Sequence, residues 1–265
     1  MRIETAKSEE DISASLNKAR TERAQLKRGL RSILLIVFAA VWTAIAIACA
    51  LISLIFDPSA KAFHSVVARC WARGLLWVSG VRVDAEGLDN FDPNGSYVFV
   101  SNHQSHYDIL AVAGFLPAQV RFIAKKELFK IPGFGWALKK GGHVKIDRDD
   151  RAQAFASYDR AAETIREGIS IFVCAEGTRS ADGTVGPFKK GGFVLALKAG
   201  VPIVPITMSG GRKILPKEKL VFRKGVLKMA VDKPVDTRSY TYEQRNELVE
   251  RVRNIIIGNL AEDEV

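Results

Sequence analysis

Ser101-Asn102-His103-Gln104-Ser105-His106-Tyr107-Asp108 follows directly on the apolar run Tyr97-Val98-Phe99-Val100. Imidazole titrates near neutrality, and a carboxylate beside it fixes its tautomer and stabilises the imidazolium once a proton is taken. His103 and Asp108 are not at the i+3 or i+4 spacing of one helical face. For the two to meet, His103 has to lie on the turn before a helix and Asp108 in that helix's first turn. The same residues also fit a structural histidine, with the aspartate drawn to the positive helix N-terminus. The segment alone leaves both readings open.

Three further segments carry chemistry or shape. Phe122 to Gly135 follows a strand with Lys125, Lys126 and Lys130 and then turns through Pro132, Gly133 and Gly135; Gly141 to Arg148 again joins glycines to cations. Lysines at a strand end suit a phosphate as point charges, although a solvated basic loop reads the same way. Phe172-Val173-Cys174-Ala175-Glu176-Gly177-Thr178-Arg179-Ser180 is a buried strand that ends in a carboxylate, a glycine and an arginine. Gly177 lets backbone N–H groups approach a ligand, Arg179 can grip phosphate bidentately, and Glu176 can hold a hydroxyl or orient a cation. A turn closed by a Glu176–Arg179 pair is the structural alternative. Val201-Pro202-Ile203-Val204-Pro205-Ile206 reads as a strand at a sheet boundary and a pocket wall.

Other chemistries fit less well. His103, His106, Asp108 and His143 lack H-E-x-x-H spacing, so no metal is expected. The sequence contains no G-x-S-x-G elbow, P-loop or G-x-G-x-x-G fingerprint. Cys49, Cys70 and Cys174 form no paired framework, which favours a reducing compartment. The net charge of +10 points to anionic partners, but nucleic acid would not explain the apolar stretch near the N-terminus.

That stretch sets the organisation. Residues 1–31 hold eight Lys or Arg against five Asp or Glu, and the 25 residues from Ser32 to Phe56 carry no charge. As a helix they reach roughly 37 Å, against a hydrocarbon core of about 30 Å. An uncleaved membrane anchor is expected over a cleaved signal peptide, despite Ala48-Cys49-Ala50, because of the long charged leader and the apolar continuation. Asp57-Pro58 breaks the helix, and residues 60–78 form an amphipathic stretch with Trp71 and Trp77 suited to a bilayer interface, or to packing on the soluble domain. A single span and a hairpin within one leaflet are both compatible with the sequence. From Gly80 onward, strands are expected at 81–85, 97–100, 120–124, 169–174, 201–208 and 227–231, alternating with helices at 109–116, 152–167 and 191–199. A final helix begins near Thr241 and Gln244, a capping box. This alternation predicts an α/β domain with its site at the strand carboxyl ends. The expected division is 1–31 charged segment, 32–79 membrane-associated helices, 80–240 catalytic domain and 241–265 C-terminal helix.

Together the four segments resemble the glycerolipid acyltransferase superfamily, most closely the 1-acylglycerol-3-phosphate acyltransferases. The N-H-x4-D block is Asn102-His103 through Asp108. The K-x-x-L-x-x-I-P-x-x-G region is Lys126 through Gly135, ending in Ile146-Asp147-Arg148. The F-P-E-G-T-R-S block falls on Cys174 to Ser180, with Ala175 where the family has proline, and V-P-I-V-P is Val201 to Pro205. The resemblance covers roughly residues 80–235. It implies a mixed, mostly parallel sheet flanked by helices, preceded by a two-helix membrane motif. It implies acyl transfer from a CoA or acyl-carrier-protein thioester to the sn-2 hydroxyl of lysophosphatidate, or the same chemistry on glycerol-3-phosphate or another lysolipid; a non-catalytic membrane scaffold is the non-enzymatic alternative. His103 would be the base and Asp108 its orienting carboxylate. Lys125, Lys126, Arg148, Glu176, Gly177, Thr178 and Arg179 would bind substrate. The implied partners are lysophosphatidate, the thioester, acyl-carrier protein and membrane lipids, with no cofactor or nucleic acid. The implied location is the inner or cytoplasmic membrane, with the site facing the cytoplasm.

Overall fold

The computed structural model describes residues 2–57, 59–147, 150–217 and 222–260. Seven strands form one sheet: β1 (Val81–Glu86), β2 (Val98–Ser101), β3 (Val120–Lys125), β4 (Val144–Ile146), β5 (Ser170–Cys174), β6 (Ile203–Ser209) and β7 (Gly225–Val231). Their order is β1-β7-β6-β2-β5-β3-β4. Every pairing is parallel except β6 with β7, which is antiparallel. The five strands from β6 to β4 therefore point the same way, and their carboxyl ends share one edge.

Alternation along the central strands builds a core on each face. Val98 and Val100 of β2, with Ile171 and Val173 of β5, pack under α5 (Arg151–Arg166), α6 (Gly191–Ala199) and α8 (Arg245–Gly258). Phe99 and Phe172 face the other way, toward α2 (Arg69–Ser79) and α3 (Tyr107–Phe115). Strands buried on both faces read as continuous apolar runs, which is the pattern of β2, β5 and β6. In α8, Leu248, Val249, Val252 and Ile256 are buried in the first core, and Gln244 Oε1 accepts the Thr241 N–H at 3.0 Å, one half of the expected capping box.

Helix α1 runs unbroken from Arg2 to Phe56, across the expected boundary between charged leader and apolar segment. Its portion Gly29–Phe56 has a mean hydropathy of 2.7 and is long and apolar enough to cross a membrane. The chain reverses at Asp57, whose carboxylate accepts the N–H groups of Ser59 (3.1 Å) and Ala62 (2.7 Å). A π-helical stretch, Phe63–Ala68, then leads into α2. The return is antiparallel: Trp42 Nε1–H donates to Trp71 O at 3.1 Å, and Arg31 to Ser79 O at 2.8 Å. Gly74 makes the close crossing possible, since a Cβ there would lie 2.5 Å from the Trp42 indole nitrogen. Exposed apolar side chains line the outside of this hairpin, from Ile33 and Leu34 to Phe56, with Trp77 80% exposed at its far end.

Four elements were not expected from sequence: β4, the 3-10 turn Lys126–Lys130, α4 (Phe134–Lys140) and α7 (Gly211–Ile214). A proline and two glycines looked like a loop. Gly133, at φ 72°, instead forms the N-cap of α4. Short α7 follows β6.

Candidate active site

Strand β2 delivers His103 to a turn, and α3 starts four residues later. The turn wraps around the Asp108 carboxylate. Asp108 Oδ2 accepts the Gln104 and Ser105 N–H groups at 2.8 Å each and lies 2.9 Å from His103 Nδ1. One oxygen thus fixes both the main chain and the imidazole, which accounts for the five-residue spacing. Asp108 is fully buried, whereas the His103 side chain keeps 14% of its surface. With Asp108 ionised, Nδ1 carries the proton and Nε2 is left as the basic nitrogen. Asp108 Oδ1 has no hydrogen-bond partner among the described residues, and a Cβ on Gly211 would lie 3.0 Å from it.

Burial alone would lower the His103 pKa. Cys174, beside the ring, and the hydrogen bond that Nδ1–H donates to Asp108 outweigh burial, so the pKa is raised above the ordinary histidine value. For His106, burial and the positive charge of Arg179 act together and lower it.

The β5 turn clasps the same histidine. The His103 N–H donates to Glu176 Oε1 at 2.8 Å, and the His103 carbonyl accepts the Ser180 N–H at 2.8 Å. Glu176 Oε2 accepts the Gly186 N–H at 3.1 Å. Burial pushes the Glu176 carboxyl up, and these two N–H groups oppose that shift. Each oxygen is therefore engaged by a backbone N–H, so Glu176 braces the turn rather than pairing with Arg179. Arg179 donates instead to Lys217 O at 3.0 Å. Ala175 N–H donates to Ser101 O at 2.9 Å, a ladder bond that a proline at this position could not make.

A cavity of about 450 Å³ opens beside His103. Lys125, Arg179 and Lys189 line it together with Gly177 and Thr178. Gly177 has φ 70°, and a Cβ on it would meet the Lys189 side chain at 2.8 Å. Lys189 was missed by the sequence reading; its only signal was the Lys189-Lys190 pair ahead of α6. Lys126, expected beside Lys125, turns away and holds both Asp147 oxygens at 2.7 and 2.8 Å. Arg148 lies outside the described residues.

The rest of the cavity is apolar. It runs between α3 (Val112, Leu116) and the sheet toward Phe122, and α1 contributes Ala46 and Ile47 to its wall. His64 and His143 also line it: His64 Nε2–H donates to Gly141 O at 2.7 Å, and His143 Nδ1 accepts the Phe122 N–H at 3.0 Å. Burial, with Arg121 nearby, depresses both pKa values, so these imidazoles are neutral. No cluster of three or more metal-type ligands occurs among the described residues. The arrangement offers an oriented base in the wall of a largely apolar cavity that three cationic side chains also line.

Comparison with known proteins agrees with this geometry. Residues 82–209 match the family model described as Acyltransferase. A chloroplast 1-acyl-sn-glycerol-3-phosphate acyltransferase of Brassica napus is 38% identical over 184 residues, 69% of this chain and 53% of that protein. The human alpha form is 36% identical over 184 residues, 69% of this chain and 65% of that protein. The chain thus spans about half to two-thirds of the length of these curated relatives. The crystal structure of the 1-acyl-sn-glycerophosphate (LPA) acyltransferase PlsC from Thermotoga maritima superposes with a TM-score of 0.74 at 29% identity, covering 86% of this chain and 94% of that one. Through the domain that carries the His103–Asp108 turn and the Glu176-Gly177-Thr178-Arg179 turn, the chain belongs to the acyltransferase family.

Proposed function

We propose that the protein transfers a fatty acyl group from a CoA or acyl-carrier-protein thioester to the sn-2 hydroxyl of lysophosphatidate, forming phosphatidate for phospholipid synthesis. The observation that carries this is the His103–Asp108 pair in the wall of a largely apolar cavity that Lys125, Arg179 and Lys189 also line. The acyl chain occupies the cavity, and its thioester carbonyl lies at His103. The acceptor phosphate sits against the cations, and its hydroxyl faces Nε2.

His103 Nε2 takes the hydroxyl proton as the oxygen attacks the thioester carbonyl. The tetrahedral intermediate collapses with cleavage of the C–S bond, and the imidazolium returns the proton to the departing thiolate. Asp108 stabilises the imidazolium between the two events. Attack by the acceptor is direct, and no cofactor takes part. Arg179 and Lys125 bind the phosphate, Lys189 adds to their field, and Gly177 with Thr178 shapes the seat. Arg148 remains a candidate for the same phosphate.

The hairpin of α1 and α2 enters one leaflet and returns, so residues 32–79 form the membrane unit and the catalytic domain, 80–240, stays on the side of the N-terminus. The antiparallel bonds from Arg31 to Ser79 and Trp42 to Trp71 support this, because α2 also packs on the catalytic domain through α3. The site then faces the cytoplasm at the inner or cytoplasmic membrane, where thioester donors are available. Since Ala46 and Ile47 line the cavity, an acyl chain can be handled at the bilayer surface without crossing water.

The test is purified protein in liposomes with one labelled acyl thioester and a panel of lysolipid acceptors. The reading expects label in phosphatidate with lysophosphatidate as the preferred acceptor. Preference for another lysolipid would reassign the acceptor, and no transfer to any would remove the activity.

A further inference from the structure

Helix α8 reaches the His103 turn through one peptide unit and the Glu176 carboxylate. Arg253 donates Nη2–H to Val185 O at 2.8 Å and Nε–H to Gly186 O at 3.3 Å. The amide whose carbonyl is Val185 O carries the Gly186 N–H at its other end, and that N–H donates to Glu176 Oε2 at 3.1 Å. Glu176 Oε1 in turn accepts the His103 N–H at 2.8 Å. A line of hydrogen bonds therefore runs from the guanidinium, through one peptide and one carboxylate, to the backbone of the base.

We infer that Arg253, outside the matched family domain, is a positioning residue for His103; the inference rests on the acyltransferase reading of the site. A cationic donor on a carbonyl gives a strong hydrogen bond and polarises the peptide, which strengthens its N–H as a donor. The polarised Gly186 N–H holds the buried Glu176 carboxylate in place, and Glu176 holds the His103 main chain. Gly186 is suited to this approach, since a Cβ there would lie 3.2 Å from Glu176 Oε2. A lysine at 253 can donate charge to one carbonyl but cannot reproduce the planar fork across two.

The test uses the full chain in liposomes as wild type, R253M, R253K and G186A. Each is measured for kcat, both KM values, thermal midpoint and amide hydrogen exchange of the 101–108 segment. R253M should lower kcat by roughly 10- to 100-fold with both KM values held, because misplacement of a catalytic group acts on the chemical step. R253K should recover part of that loss, and G186A should lower kcat by pressing on Glu176. Exchange in 101–108 should speed up in R253M. A merely structural clamp would loosen α8 and the Val185–Gly186 loop without touching that segment. Wild-type kcat in R253M, or unchanged exchange in 101–108, overturns the inference. If R253M does not fold, R253K and G186A both at wild-type kcat and exchange overturn it equally. The exchange arm needs no turnover, so it decides on Arg253 even if the wild type fails to transfer acyl groups and the reading of the site falls.

Discussion

The side chain of Asn102 pairs with the backbone of Met208 in both directions: Nδ2–H donates to Met208 O at 2.8 Å, and Oδ1 accepts Met208 N–H at 2.8 Å. Strand β2 stops hydrogen-bonding through its own backbone at Ser101, and the Asn102 amide takes over the ladder to β6. The turn that carries His103 is thereby tied to the sheet one residue before the imidazole. Asn102 is not among the residues that line the cavity, and it acts on the base through geometry.

Asn102→Leu should therefore destabilise the domain by about 2–6 kcal/mol, because two buried backbone groups lose their partners at about 1–3 kcal/mol each. Thermal or denaturant unfolding in detergent checks it. A midpoint equal to wild type would mean the pairing contributes nothing to the fold.

The pH profile carries a sign. The His103 pKa is raised, since Cys174 and Asp108 outweigh the lowering by burial, and the base works only when unprotonated. Activity should rise with pH, with the acid limb of kcat/KM above the ordinary histidine value of about 6.5. Asp108→Asn removes the charge that supports the imidazolium. It should move that limb down and cut kcat by roughly 10²- to 10⁴-fold. An acid limb unmoved by Asp108→Asn would detach the aspartate from the titration of the base.

The cationic side chains of the cavity predict a division between substrates. Arg179→Met should raise the acceptor KM by roughly 10-fold or more, the loss expected for a charge-assisted hydrogen bond. Lys189→Met should raise it less, and added salt should weaken acceptor binding by the wild type. If the KM of the thioester rises while that of the acceptor stays put, these cations belong to the donor.

Because α1 supplies part of the cavity wall, Ala46→Phe should fill the cavity from the membrane side. The expected result is a fall in kcat/KM for long-chain acyl donors that exceeds the fall for short ones, read from a chain-length series. An equal fall across the series would place the acyl chain elsewhere.

Legibility from sequence followed the range of the interactions. The apolar runs at β2, β5 and β6 and the Gly200 stop of α6 were readable because periodicity and capping are local. So was the geometry of His103 and Asp108, once the spacing excluded a shared helix face. Strand β4 spans three residues between Gly142 and Asp147, too few to show a period. Without β4, nothing could choose between Lys125 and Lys126, since Lys126 is claimed by Asp147, 21 positions away. The bracing role of Glu176 was not legible because its partner, the His103 N–H, lies 73 positions upstream. Lys189 reaches Gly177 only through the fold of the Ser180–Phe188 loop, which no local rule describes.

His103→Ala provides the most direct test of the central claim, that this imidazole is the base for acyl transfer. The variant is assayed with a labelled acyl thioester and lysophosphatidate in liposomes, next to wild type of matched thermal midpoint. Loss of a general base predicts a fall in kcat of roughly 10²- to 10⁴-fold with the fold intact. Transfer at a rate near that of the wild type would contradict the account.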